Sequence, residues 1–302
     1  SGGSLIIGAG ERLADASNLL VSGGAFDLQS FNETLDVVTL TSGTISGTGT
    51  LTGSVYNLDS GTIFASLGGG ATLNKNTAGD VTLANTNTYT GGTVINAGSL
   101  TLGVNNALLS TGAVTVNSGG TLTILNSVSI PVGALSGAGD VIFSNASSVL
   151  TAGNGNATST FSGVIGGVGT LTKTGTGTLT LSGANTYSGT ATVNSGILRI
   201  GASNRLDDTS DLTVSGGSFD LQSFNETVNV VSLAGGSIIG TGPLTANSLD
   251  MQSGTASANL AGAAALTKLT AGTVTLSGAN TYTGGTLLNA GVLETGSVSS
   301  LG

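Results

Sequence analysis

The sequence predicts an all-β protein, a right-handed parallel β-helix (solenoid) with about 20 residues in each coil. Three observations lead to this prediction. A unit of about 96 residues occurs three times, short apolar stretches recur about every 20 residues within it, and apolar and polar residues alternate along these stretches. Short strands that recur at a fixed period are typical of a solenoid, in which each coil covers the apolar face of the coil before it.

Two sequence markers define the long repeat. Residues 20–40 (LVSGGAFDLQSFNETLDVVTL) and residues 213–233 (TVSGGSFDLQSFNETVNVVSL) agree at 16 of 21 positions. The second marker is an Asn-Thr-Tyr turn, whose tyrosines are 98 and 95 positions apart. We therefore predict a single continuous β-solenoid over residues 1–302, with repeats at approximately 8–102, 103–200 and 201–295 and a partial fourth.

The repeat phase also bears on the ends of the sequence. Counted back by whole repeats, Gly302 corresponds to Asp207 and Ala14, so the first residue falls inside a unit. The sequence is therefore expected to be either an excerpt from a longer array or a unit that stacks end to end.

The short repeat is clearest in the second half of the chain. Four extended stretches begin at Thr178, Ile197, Ser218 and Ser237, so each begins about one coil after the one before it. In the first of them Leu179 and Leu181 alternate with threonine, which places leucine on one face and threonine on the other. The right-handed sense follows from the strong preference of parallel crossover connections for that hand.

Composition excludes several classes of function. The net charge is −9 with only six Lys and Arg residues, which argues against nucleic-acid binding. The sequence contains no Cys and no His, so disulfides, thiolate metal sites and a Ser-His-Asp triad are excluded. No 18-residue apolar stretch is present, so we expect no membrane insertion by this segment. No cofactor is predicted.

Charged residues leave one alternative open. Asp207, Asp208 and Asp211 lie beside Arg205 and are interpreted as a solvated loop. β-Helix enzymes that degrade polysaccharides gather Asp, Lys and Arg over adjacent coils, so such an enzyme is the alternative function. Three lysines instead recur at the long repeat, which indicates a structural role at an edge: Lys75, Lys173 and Lys268.

Two binding functions have weak sequence support. A calcium-type Gly-rich signature occurs once, at Gly137–Asp140, and not in tandem. Thr-x-Thr triplets such as those of ice-binding solenoids are present, but they are not spaced by one coil throughout. Threonine is also simply a good strand residue.

Polar and aromatic residues recur in the same register as the long repeat. We predict that they form a structural repeat motif, in which the asparagines satisfy corners and the tyrosines pack at corners with their hydroxyl groups outward. The motif consists of Asn87, Tyr89, Asn96, Asn185, Tyr187, Asn194, Asn280, Tyr282 and Asn289.

The stretch GVGTLTKTGTGTLTLSGANTYSGTATVNSGILRIG at 167–201 resembles the passenger-associated β-strand repeat of bacterial autotransporters. Residues 71–103 and 264–296 resemble it as well. The resemblance implies a right-handed β-helix that is secreted or held on the surface of a Gram-negative cell.

These observations together predict a structural or adhesive extracellular rod and not an enzyme. Its expected partners are other copies of itself or a host or matrix surface. An unprotected β-helix end presents unpaired backbone groups, so fibre growth by end-to-end stacking is one expected form of self-association.

Overall fold

The structure, a computed structural model, describes residues 2–125, 127–296 and 301. These residues form 36 short β-strands, and the described part of the chain contains no helix. None of the described segments is therefore a helix with the length and apolar character needed to cross a membrane. The predicted all-β class is confirmed.

The chain divides into two compact units, Ser1–Leu150 and Thr151–Gly302. A single continuous solenoid of three repeats stays a prediction. Its partial fourth repeat, residues 296–302, lies outside the described residues except for Gly296 and Leu301.

The first unit contains 17 strands. They are β1 (Ser4–Ile6), β2 (Leu19–Asp27), β3 (Glu33–Thr34), β4 (Val37–Ser46), β5 (Thr50–Thr52), β6 (Val55–Leu58), β7 (Gly61–Ile63), β8 (Ser66–Gly68), β9 (Thr72–Lys75), β10 (Asp80–Leu83), β11 (Thr93–Ile95), β12 (Gly98–Leu102), β13 (Val114–Val116), β14 (Gly120–Ile124), β15 (Ser129–Val132), β16 (Leu135–Gly137) and β17 (Asp140–Phe143). Strand β18 (Val149–Ala152) spans the boundary in sequence.

The second unit contains the remaining 18 strands. They are β19 (Ser159–Phe161), β20 (Ile165–Gly167), β21 (Thr170–Lys173), β22 (Thr178–Leu181), β23 (Thr186–Tyr187), β24 (Ala191–Val193), β25 (Ile197–Ile200), β26 (Leu212–Val214), β27 (Ser218–Asp220), β28 (Glu226–Leu233), β29 (Ser237–Ile239), β30 (Pro243–Met251), β31 (Gly254–Ala256), β32 (Asn259–Ala261), β33 (Leu266–Lys268), β34 (Thr273–Leu276), β35 (Thr286–Leu288) and β36 (Val292–Thr295).

Three parallel ladders of strands build the first unit. They run β2–β4–β6–β9–β11–β13–β16, then β1–β2–β4–β7–β10–β12–β14–β17, and β3–β5–β8. The long strands β2 and β4 take part in two ladders because they bend from one face to the next. Successive coils therefore contribute short strands to the first two faces, and the coils of β3, β5 and β8 contribute to a third.

The second unit is built in the same way. Its ladders run β21–β24–β26–β28–β30–β33–β35 and β19–β22–β25–β27–β29–β31–β34–β36, with shorter pairings β20–β23 and β28–β30–β32. In both units paired residues lie 16 to 22 positions apart in sequence. The parallel β-solenoid is confirmed, and its right-handed sense stays a prediction.

Alternation along each strand separates the core from the surface. In the first unit a fully buried rank stacks coil upon coil, formed by Val81, Leu100, Leu122 and Val141. One position further along, the side chains point outward and form a rank of half-buried threonines: Thr44, Thr62, Thr82, Thr101 and Thr123. This is the arrangement that period-two alternation predicts.

Candidate functional site

A lysine lies twelve residues before the first asparagine in each copy of the repeat motif. Lys75 is the last residue of β9, two positions after the buried Leu73, so strand alternation turns both side chains inward. Lys173 in β21 and Lys268 in β33 follow a buried leucine at the same spacing. All three lysines are fully buried, so their interpretation as edge residues is wrong.

Backbone carbonyl groups hold each buried ammonium group. The Nζ atom of Lys75 donates to the carbonyl oxygen of Thr77 in its own coil and, at 3.0 Å, to that of Ala97 in the next coil. The corresponding contacts in the other copies are Lys173 to Thr174, Gly175 and Ser195, and Lys268 to Thr270 and Ala290. Burial lowers the pKa of the Lys75 and Lys173 ammonium groups. Each lysine therefore joins two successive coils through their backbones.

A glycine closes the motif beside each lysine. Gly196 has a φ of +66°, in the left-handed region that favours glycine. A Cβ atom at this position would lie 2.3 Å from the Gly175 oxygen and 2.7 Å from the Lys173 Nζ atom. Gly98 and Gly291 have φ values of +68° and +75° and equally close carbonyl neighbours. The glycine of the Asn-x-Gly ending is thus explained by close packing against the lysine and its carbonyl partners.

The first asparagine of each motif bonds to the backbone of a neighbouring coil, and in the first two copies it connects three coils. The Oδ1 atom of Asn185 accepts the N–H of Ile165 at 2.8 Å, and its Nδ2 atom donates to the carbonyl of Arg205 at 2.7 Å. Asn87 makes the same two contacts with Leu67 and Ala107, and Asn280 accepts the N–H of Leu260. These side chains are buried, so they satisfy backbone groups that water does not reach.

We expect the Asn185→Ala substitution to lower the free energy of unfolding by about 2 kcal/mol, because the buried N–H of Ile165 loses its acceptor and the carbonyl of Arg205 retains only the backbone N–H of residue 185. Urea denaturation followed by circular dichroism measures the change. The matched control is Asn194→Ala, since Asn194 belongs to the same copy but is exposed; its effect should stay below about 0.5 kcal/mol. Equal losses in the two variants would contradict the bridging role.

The motif tyrosines are buried, and the prediction of outward hydroxyl groups is wrong. Tyr89 and Thr93 share a hydrogen bond of 2.7 Å between their hydroxyl groups, and Tyr282 pairs with Thr286 at the same distance. The threonine four residues later gives the hydroxyl a partner inside the fold, which offsets the cost of its burial. The middle copy has Ala191 at that position, and Tyr187 is nevertheless fully buried. Burial raises the pKa of the Tyr89 and Tyr187 hydroxyl groups.

Comparison with known families agrees with this geometry. The family model described as passenger-associated-transport-repeat matches residues 73–102, 171–200 and 266–294. These three segments, named here the transport repeats, are similar to that family's repeat. Each matched segment contains one lysine, the asparagine and tyrosine of the turn, and the closing glycine. This content is consistent with an autotransporter passenger, and the family implies secretion or surface display by a Gram-negative bacterium.

Comparison with curated proteins gives no match, and comparison with solved structures gives none.

The second asparagine of each transport repeat lies on the surface. Asn96 is exposed and belongs to a ladder of amides, in which it donates to Asn76 and accepts from the half-buried Asn117, both at 2.7 Å. Asn194 and Asn289 occupy the corresponding exposed corners of the other two repeats. A structural role for all nine motif residues stays a prediction, which Asn185→Ala and Asn194→Ala test at two of them.

Sequence reasoning missed a fourth buried tyrosine. Tyr56 packs edge-to-face against Tyr89, with ring centroids 6.0 Å apart. Its hydroxyl oxygen lies 2.7 Å from the carbonyl oxygens of Leu51 and Gly68 and accepts the N–H of Gly53. Burial raises the pKa of Tyr56 to about 12. No repeat signal marks this residue, since it occurs in the first copy alone.

Carboxylates on adjacent coils would be a sign of enzymatic chemistry. A groove of about 470 Å³ in the first unit is lined by Asp15 and Asp36 from successive coils and by Thr34, Thr52 and Ser54. None of its described lining residues is a lysine or arginine. Across the described residues, no group of three or more His, Cys, Asp or Glu side chains is placed to hold a metal ion.

Proposed function

We propose that the chain is a structural segment of an exported passenger, and that it acts by contact with other copies of itself or with a host or matrix surface. The observation that supports this most directly is the threefold occurrence of the transport repeat with its buried lysine, asparagine and glycine contacts. These contacts join one coil to the next. Function then depends on outward residues, which a stable scaffold holds in register.

The outward positions suit repeated weak contacts. The threonine rank of the first unit places like side chains one above another at the spacing of adjacent strands, about 4.8 Å. Neighbouring hydroxyl groups also bond across coils, as Ser99 and Thr123 do at 3.1 Å. A regular surface of this kind allows many identical contacts to add up on an extended partner.

Two measurements on the purified chain test the proposal. Analytical ultracentrifugation and electron microscopy over a wide concentration range detect self-association and fibres. Binding to immobilised matrix proteins and to host cells detects adhesion. Concentration-dependent assembly supports the first mode, and saturable surface binding supports the second. A chain that stays monomeric and binds none of these surfaces contradicts the proposal.

The alternative, an enzyme that degrades polysaccharide, has one observation in its favour, the pair Asp15 and Asp36 beside the groove. A panel of glycans, analysed for new reducing ends or unsaturated products, tests it. Activity that disappears in Asp36→Asn, while Asp208→Asn in the third repeat retains it, would establish the enzyme and displace the structural proposal.

A further inference from the structure

A carboxylate in the second unit is buried between two coils. Glu226 is the first residue of β28, and 1% of its surface is exposed. Its carboxylate reaches back to the preceding coil, where it accepts the N–H groups of Arg205 at 2.8 Å and Leu206 at 3.3 Å. It also accepts the N–H of Thr227 at 3.3 Å. Glu226 therefore fastens the loop of residues 203–211, named here the latch loop, to the next coil.

No cationic side chain neutralises this carboxylate directly. The guanidinium group of Arg205 turns away and donates to the carbonyls of Ser182, at 2.9 Å, and Ser203. The other titratable groups that face this part of the core are Tyr187 and Asp207. The following coil, residues 237–247, contains no charged residue.

Burial therefore dominates the ionisation of Glu226. It raises the pKa of this carboxyl group from 4.5 to about 7, although the backbone N–H donors and Arg205 lower it. A raised acid pKa means that the closed structure favours the protonated form. The contribution of protonated Glu226 to the stability of the closed loop is complete below the ordinary carboxyl pKa of 4.5 and is lost as the pH rises through about 7.

We propose that Glu226 is a pH-sensitive latch that keeps the latch loop closed at mildly acidic pH and releases it as the pH rises above neutrality. Opening the loop gives the ionised carboxylate access to water.

The other two copies of the repeat provide internal comparisons. Glu33 makes the same contacts in the first copy, with the N–H groups of Arg12 at 3.0 Å and Leu13 at 2.7 Å. In the middle copy the side chain of Asn105, a neutral amide, accepts the N–H of Ser129 at 2.7 Å. At this corner of the middle copy, a neutral amide thus joins two coils, and its charge does not change with pH.

Amide hydrogen exchange of residues 203–207 between about pH 5 and about pH 8 tests the latch, after correction for the intrinsic pH dependence of exchange. We expect opening to become roughly 50-fold more favourable over this range. In Glu226→Gln the corrected exchange should not depend on pH. The matched control Glu33→Gln should retain the full dependence at residues 203–207. A flat profile in the wild type, or an unchanged profile in Glu226→Gln, overturns the proposal.

A second measurement needs no variant that could fail to fold. The chain contains four glutamates, Glu11, Glu33, Glu226 and Glu294, so ¹³C-labelled glutamate gives few carboxyl resonances. We expect one resonance to titrate near pH 7 in the wild-type protein, with line broadening of the Arg205 and Leu206 amides over the same pH range. If every glutamate carboxyl titrates below about pH 5.5, the latch is refuted.

Discussion

The Lys173→Met variant is expected to unfold with a free energy about 3 kcal/mol lower than that of the wild-type chain. Methionine fills a similar volume but offers no hydrogen-bond donor. The carbonyl groups of Gly175 and Ser195 would then lose the ammonium group that they share. A buried ion pair can sometimes be replaced by apolar residues at little loss, but only when both partners are replaced. Here the partners are backbone carbonyls, which no side-chain substitution removes.

Arg199→Met is the matched control for this prediction. Arg199 lies in the same unit and its pair with Asp220 is the one ion pair recorded among the described residues, with an N–O distance of 2.9 Å. Its side chain is about one-third exposed, so solvent screens the pair and its loss should lower stability by less than about 1 kcal/mol. Urea denaturation followed by circular dichroism measures both variants. If the two variants lose the same stability, removal of a positive charge alone explains the effect, and the hydrogen bonds from Lys173 to the backbone carbonyls do not.

The strands and their stacking could be predicted from the sequence because they follow from local alternation and from the repeat. The stretches beginning at Thr178, Ile197, Ser218 and Ser237 are strands β22, β25, β27 and β29, which pair in that order. Each needs only apolar residues at every second position and a turn residue between strands. Both signals are present in the sequence itself.

The interior of the candidate site could not be predicted in the same way. A lysine is expected on the surface because burying its charge is unfavourable without partners. The partners of Lys75 are main-chain carbonyls of its own and the next coil, which any residue supplies. The sequence therefore contains no side-chain pattern that predicts these carbonyl partners. The spacing from each lysine to its closing glycine, as from Lys75 to Gly98, was a usable signal, since it is identical in all three copies.

The buried glutamates illustrate the same limit. Glu33 and Glu226 lie in the near-identical segments that define the long repeat, yet their identity could equally reflect a surface role. Their N–H donors come from a loop about 21 residues earlier, at the corner of the preceding coil. The burial of these glutamates depends on contact between consecutive coils, which the alternation within a single strand does not predict.

The Gly196→Ala substitution is expected to lower the free energy of unfolding by about 4 kcal/mol, the largest effect predicted for a single added methyl group. The left-handed backbone at a φ of +66° costs alanine about 1 kcal/mol. The rest arises because the new Cβ atom would lie within 2.3 Å of the Gly175 oxygen and 2.4 Å of the Gly177 oxygen. Both atoms belong to the backbone of the preceding coil and cannot move without opening the ladder between β22 and β25.

Gly285→Ala separates the two contributions. Gly285 also has a positive φ, +80°, but a Cβ atom there would meet nothing within 4 Å. This variant should therefore show the backbone contribution alone, about 1 kcal/mol. Hydrogen exchange of residues 171–200 should rise in Gly196→Ala, since the added methyl group forces apart the coils on either side of Lys173. If Gly196→Ala and Gly285→Ala instead lose the same stability within experimental error, the coils move apart at little cost, and the closing glycine is not required for tight packing around the buried lysine.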